Sequence, residues 1–169
     1  GIIQIPVQNL VVTSTTHIPS LEMLGVENLL VGFPNLNYIS SEKTRQLIEN
    51  DEIKELGKNE DINTEVLIDL SPEVVVTFAV EGGNKAVSTI QKTGIPVIYN
   101  SDWTENHPLG KAEWIKFFGV LVNKEKEADS IFSEIENNYN IAKALAAQVI
   151  TKPTVLIGAM YKDIWYLPQ

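Results

Sequence analysis

Apolar positions along this chain fall into short runs separated by stretches of helical spacing. Residues 10–14, 29–33, 73–78 and 95–99 are compact apolar segments rich in β-branched residues, and they read as buried strands. Helical patterns lie between them. Residues 15–24 carry Leu21, Met23 and Leu24, with Thr15, Thr16 or Ser20 as cap and Gly25 as terminator. Residues 40–50 start at Ser40 or Ser41 and turn Leu47 and Ile48 inward, and residues 63–70 start at Asn63. A further helix passes through Ala86, Val87 and Ile90 and ends at Gly94. Residues 2–7 alternate but contain Pro6, the mark of a lead-in or edge strand. Strands alternating with helices imply a parallel sheet with right-handed crossovers.

The rhythm changes at Pro108. Residues 109–121 read as one helix, and 124–149 as a long one with a single apolar stripe through Ala128, Ile131, Phe132, Ile135, Tyr139, Ala142, Leu145, Ala146 and Val149. At about 1.5 Å per residue it spans roughly 35–40 Å. Pro153 follows, and residues 153–159 and 164–167 read as two more strands. Two strands alone bury too little surface to be stable. They pack on the rest of the chain, pair with a second copy, or belong to a larger protein of which this chain is a piece, and the last fits best. The fold class expected is α/β: a parallel-sheet lobe with flanking helices, a long connecting helix, and the first strands of a second α/β lobe.

Charge and composition narrow the partners. Thirteen basic against 22 acidic residues give a net charge of −9. No basic stripe exists to neutralise phosphates, which excludes a nucleic-acid surface. The chain has no cysteine, so disulfides, thiolate metal sites and cysteine nucleophiles are excluded. No apolar stretch reaches spanning length, and no export signal stands at Gly1.

In an open parallel sheet, ligands bind beyond the carboxyl ends of the strands. Four loops qualify. The first holds Thr15, Thr16 and His17. The second follows Phe33 and holds Asn37 and Tyr38. The third holds Val80, Glu81 and Gly82, and the fourth Trp103 and Glu105. They offer hydroxyls, an imidazole, carboxylates and aromatic faces with little positive charge, which suits a large ligand with aromatic and polar parts. Each residue also has a structural reading. His17 is either a helix-start residue hydrogen-bonded to backbone or a ligand contact. Thr15 and Thr16 serve as caps or as donors, Glu81 and Glu105 as solvated side chains or binding groups, and Trp103 as a ligand platform or a cover for the sheet edge. An enzyme lacks its parts here. His17 and His107 are the two histidines, and no H-E-x-x-H, G-x-S-x-G, G-x-G-x-x-G or P-loop pattern occurs. No catalytic residue, protein-held metal or cofactor is expected.

Several stretches together resemble one family. They are Val11-Val12-Thr13-Ser14-Thr15-Thr16-His17-Ile18, Leu24-Gly25-Val26-Glu27-Asn28-Leu29-Leu30-Val31-Gly32, Leu56-Gly57, and the run from Asn63 to Val75. Gly94-Ile95-Pro96-Val97-Ile98, the run from His107 to Phe117, Pro153-Thr154-Val155-Leu156 and Trp165-Tyr166-Leu167-Pro168 complete the order. The chain is similar to substrate-binding proteins of ABC importers for iron complexes and cobalamin, the helical-backbone class of periplasmic binding proteins. The resemblance implies two lobes joined by a rigid helix, a ligand in the cleft between them, small closure, and an acidic residue on each lobe docking the membrane permease. Glu81 is the docking candidate in this lobe. The resemblance divides the chain into a first lobe at 1–107, backbone helices at 108–150 and the start of a second lobe at 151–169. It implies a periplasmic or lipid-anchored location.

The ligand class expected is a ferric siderophore, haem or cobalamin. Corrinoid and haem suit stacking on Trp103 or Tyr38. Anionic siderophores want arginines, and Arg45 is the sole arginine. Two other readings share the fold: a chelatase-like α/β enzyme domain and a ligand-sensing receptor domain. Exposed edges at residues 153–169 also predict self-association.

Overall fold

The computed structural model describes residues 2–78 and 85–167. By packing, the chain divides into two units, Gly1–Glu136 and Asn137–Gln169. In the first unit the elements run β1 (Leu10–Val12), α1 (Ile18–Met23), β2 (Leu30–Phe33), α2 (Glu42–Glu49), β3 (Lys54–Glu55), β4 (Gly57–Lys58), β5 (Asp61–Ile62), α3 (Thr64–Leu70), β6 (Val74–Thr77), α4 (Lys85–Lys92), β7 (Val97–Tyr99), α5 (Pro108–Glu113) and α6 (Ile115–Leu121). The long helix α7 (Glu125–Ala147) follows, then β8 (Ala159–Tyr161) and β9 (Ile164–Tyr166).

Five strands form one parallel sheet in the order β3-β2-β1-β6-β7. The central strands β1 and β6 are buried along their whole length. Successive strand residues point to opposite faces, and each face has its own core. Leu10, Val12, Val74 and Val76 point to a core built with Ile18 and Leu21 of α1, Ile115 and Phe118 of α6, and Ala128 and Phe132 of α7. Val11 and Val75 point the other way, to Leu67 of α3, Ala86 and Ile90 of α4, and Leu56. Helices on both faces explain why these strands read as unbroken apolar runs.

Helix ends follow the expected chemistry with some shifts. Asn63 caps α3, its Oδ1 accepting the Val66 N–H at 3.2 Å, and Ser41 caps α2. Gly25 and Gly94, after α1 and α4, take φ of +64° and +88°, where a side chain would be strained. The first cap is Ser14, not Thr15, Thr16 or Ser20. Its Oγ accepts the Thr16 N–H at 3.3 Å and starts a 3-10 turn at Thr15–His17 ahead of α1.

Other expectations are corrected. Residues 2–7 form no strand; Pro6 supplies no ladder donor, and the Val7 N–H goes to the Leu121 carbonyl at 2.8 Å. The single helix expected over 109–121 is two, α5 and α6. The break falls at Trp114, where the Phe117 N–H bonds only three residues back at 3.1 Å and the indole is held by Glu105. The short strands β3, β4 and β5 carried too few apolar residues to be foreseen.

Asn137–Gln169 contains the second half of α7 and an antiparallel hairpin of β8 and β9. Lys162 and Asp163 both have positive φ, the geometry of the tight hairpin turn. The strand expected over 153–159 is confined to Ala159–Tyr161, because a ladder extends only as far as its partner β9 reaches.

Candidate functional site

The strand order reverses direction at β1. From there the chain goes one way to β2 and β3, and the other way to β6 and β7. Such a switch point opens a crevice at the carboxyl ends of the strands, because the loops on either side diverge. A pocket of about 230 Å³ sits there, lined by Thr13, Ser14, Thr15, Phe33, Pro34, Tyr38, Asn59 and Phe78.

Its floor is fixed by hydrogen bonds between elements. Thr13 Oγ1 donates to Thr77 Oγ1 at 2.9 Å, joining β1 to β6, and both residues are buried. Asn59, in the turn between β4 and β5, donates from Nδ2 to the Thr13 carbonyl at 3.1 Å. The wall after β2 is held by charge. The Glu55 carboxylate accepts the N–H groups of Asn35 at 2.9 Å, Leu36 at 3.0 Å and Gly57 at 2.8 Å. Arg45 Nη1 donates to the Leu36 carbonyl at 3.2 Å. The chain's arginine therefore braces the Leu36–Tyr38 turn. With its backbone so fixed, Tyr38 presents its ring outward, 71% exposed.

Thr15, Phe33 and Tyr38 of the expected site line this pocket. Asn37 is exposed beside Tyr38 on the same turn. Thr16 is exposed, its hydroxyl 2.8 Å from Ser14 Oγ. Trp103 stands on the turn after β7, 53% exposed, outside the pocket lining. Val80, Glu81 and Gly82 lie outside the described residues.

His17 and Glu105 are elsewhere. His17 is fully buried against Phe118, ring centroids 5.6 Å apart, so the imidazole does not reach the rim. Its ring is not tied to backbone either; neither nitrogen has a hydrogen-bond partner among the described residues. Burial lowers its pKa from 6.5 to about 4, against the opposing pull of the Asp102 charge. Glu105 accepts the Trp114 indole N–H at 3.2 Å and lines a separate pocket of about 270 Å³ with Gly110, Glu113, Trp114 and Phe117.

Thr13, Ser14, Pro34, Asn59 and Phe78 complete the pocket without having been singled out. Four of them are neighbours of strand ends already recognised, so their positions were legible. Asn59 depends on the β4–β5 hairpin, which has no apolar run to announce it. Among the described residues no group of three or more histidine, aspartate or glutamate side chains is gathered to hold a metal. Among the described residues the pocket lining holds aromatic side chains, hydroxyls and an amide, with no charged side chain.

Known proteins share this architecture. An uncharacterized lipoprotein of Methanocaldococcus jannaschii is 25% identical over 99% of this chain, which spans 42% of that relative's length. The heme-binding protein RhuT of Roseiflexus sp. RS-1 superposes with a TM-score of 0.67 at 17% identity, over 94% of this chain and 57% of its own. The triscatecholate siderophore binding protein FeuA of Bacillus subtilis gives 0.66 at 18%, over 85% and 48%. At those identities the two structures establish the fold, an α/β lobe of the periplasmic binding protein type. Residues 10–169 match the profile of the periplasmic binding protein family, and the chain belongs to that family.

Proposed function

We propose that this chain supplies one wall of the cleft of a substrate-binding protein that takes an iron complex or cobalamin and passes it to the permease of an ABC importer. The observation that carries this is the pocket at the switch point, whose described lining is uncharged and offers the rings of Tyr38 and Phe78 with the hydroxyls of Ser14 and Thr15. Relatives that bind heme and a ferric siderophore support the ligand class. The described lining carries no cation, which favours a flat chelate such as haem or a corrinoid over a strongly anionic siderophore. Aromatic faces stack on extended rings, whereas several carboxylates or catecholates want guanidinium partners. Tyr38 in the pocket and Trp103 on the loop after β7 are the stacking residues, with Thr15, Thr16 and Asn37 as polar contacts.

The same reading assigns permease docking to an acidic residue of this lobe, Glu81 being the candidate. It sets the protein outside the cytoplasm, as a lipoprotein relative supports. The opposing wall belongs to a second lobe that begins near residue 151.

Fluorescence and absorbance titration of the natural full-length protein with haem, cyanocobalamin and several ferric siderophores tests the reading. Saturable binding of one ligand at micromolar or tighter concentration is expected, weakened about tenfold, or roughly 1.4 kcal/mol, by Tyr38→Ala. No binding across the panel defeats the proposal. Binding indifferent to Tyr38→Ala, Phe78→Ala and Trp103→Ala moves the ligand away from this pocket.

A further inference from the structure

A second cavity opens where the loop after β7 meets α5 and the start of α6. It measures about 270 Å³, is lined by Glu105, Gly110, Glu113, Trp114 and Phe117, and shares no lining residue with the pocket at the switch point. Its walls are set by close contacts. Gly110 leaves α5 bare where Glu105 lies on it; a Cβ there would come within 2.8 Å of Glu105 Oε2. The Trp114 indole N–H donates to Glu105 Oε1 at 3.2 Å and holds the carboxylate beside the ring. Trp114 and Phe117, both half-buried, meet edge to face with ring centroids 5.8 Å apart.

The charge in this cavity is one-sided. Glu105 Oε1 is committed to the indole, while Oε2 has no hydrogen-bond or ionic partner among the described residues. Glu113 shares Lys116 with Asp129 of α7, each at 3.3 Å. That lysine is turned to α7, its ammonium 4.4 Å from the centre of the Phe132 ring, and it is outside the lining. The described lining therefore presents two carboxylates and two aromatic rings with no basic side chain. Carboxylates attract a cation by charge, aromatic faces attract it through their quadrupole, and the rings also cover an apolar body. A hard metal ion takes six or more oxygen ligands, and among the described residues no group of three or more histidine, aspartate or glutamate side chains is gathered. The volume falls just short of the roughly 300–1,000 Å³ of pockets for drug-sized ligands, so the occupant is small.

We propose that this cavity binds a small organic cation, an alkylammonium or guanidinium compound. Glu105 Oε2 is its charge partner, and Trp114 and Phe117 are the rings against which its body packs. None of the residues of the switch-point pocket takes part, so the cavity stands or falls separately from the chelate cleft.

The test is an NMR titration of the natural full-length protein, following the tryptophan indole N–H signals, with choline and agmatine as probes. Trp114→Phe identifies the Trp114 signal. Sodium chloride at equal ionic strength and the uncharged carbon isostere of choline are the controls. The expected result is a saturable shift of the Trp114 signal at millimolar or lower concentration of a cation, with no such shift from either control. Glu105→Gln keeps an acceptor oxygen for the indole but removes the charge, and is expected to weaken binding at least about tenfold. Gly110→Ala, which displaces the carboxylate from α5, is expected to weaken it as well and decides the matter if Glu105→Gln does not fold. No response to either cation, an equal response to the isostere or to sodium chloride, or binding unchanged in these variants overturns the proposal. An acetylated arginine amide that binds where neither free cation does hands the cavity to a side chain of a partner protein, and overturns it too.

Discussion

Replacing Thr13 and Thr77 by valine, singly and together, isolates the bond at the floor of the pocket. The two hydroxyls lie 2.9 Å apart in residues of 2% and 3% exposure, and among the described residues neither has another side-chain partner. Valine keeps the β-branched shape that a central strand wants, so the perturbation is chemical rather than steric. Thr13→Val leaves the Thr77 hydroxyl buried and unpaired, at a cost of about 1–3 kcal/mol. The new methyl returns about 0.8 kcal/mol of burial. Each single variant is therefore expected to lose about 1–2 kcal/mol. The double variant removes both polar groups at once, gives up a net bond of about 1 kcal/mol and gains two buried methyls, and is expected near the parent stability. The signature is a coupling of about 2–4 kcal/mol between the two sites, the whole of the two single losses. Urea titration measures it: with a slope of about 2 kcal/mol per molar, each single variant moves the midpoint down by roughly 0.5–1 M. Additive losses, with the double variant as unstable as the two singles summed, would refute the reasoning. Because Thr13 also lines the pocket, a double variant of native stability separates the floor's part in ligand affinity from its part in folding.

Two more perturbations follow from the same geometry. Glu55→Gln keeps one acceptor oxygen but turns an amide NH2 toward the Leu36 N–H, so hydrogen exchange of the Asn35–Tyr38 amides is expected to rise about tenfold, roughly 1.4 kcal/mol of local stability. Exchange equal to the parent's would remove Glu55 as the anchor of the Tyr38 turn. His17 gives the stability a pH dependence of known sign. Its folded pKa of about 4 lies below the unfolded 6.5, so its contribution is complete above pH 6.5 and is lost as pH falls from 6.5 to 4, where the unfolded chain binds a proton that the folded chain refuses. The slope there is about 1.4 kcal/mol per pH unit, about 3 kcal/mol in all. Between pH 7 and 4 the parent should lose about 3 kcal/mol relative to His17→Leu, as read from their denaturation midpoints; a constant difference between the two would contradict the assignment.

Much of this protein was written in the order of its residues. The β-branched runs at 10–14, 29–33, 73–78 and 95–99 marked the four longer parallel strands; in the central β1 and β6 both faces are covered by helices, and continuous burial leaves no polar positions to confuse the reading. Asn63 and Ser41 announced their helices through side-chain oxygens that reach the first free N–H groups, a strictly local interaction. The loops at the carboxyl ends of the strands were likewise legible, since a parallel sheet sets them all on one edge. What the chain order did not carry was set by contacts between residues far apart. The β4–β5 hairpin holds no apolar run, yet it delivers Asn59 to the Thr13 carbonyl 46 positions away. Glu55 looked like any solvated carboxylate until β3 aligned beside β2 and brought it under the N–H groups of Asn35 and Leu36. His17 belonged to a rim loop by position, and only the packing of α6 beneath that loop decided that its ring would be buried on Phe118 rather than face a ligand. Local propensity and strand burial are properties of neighbouring residues, so sequence reports them. Which polar atoms end up paired, exposed or stranded depends on where distant elements dock, and that only the tertiary structure decides.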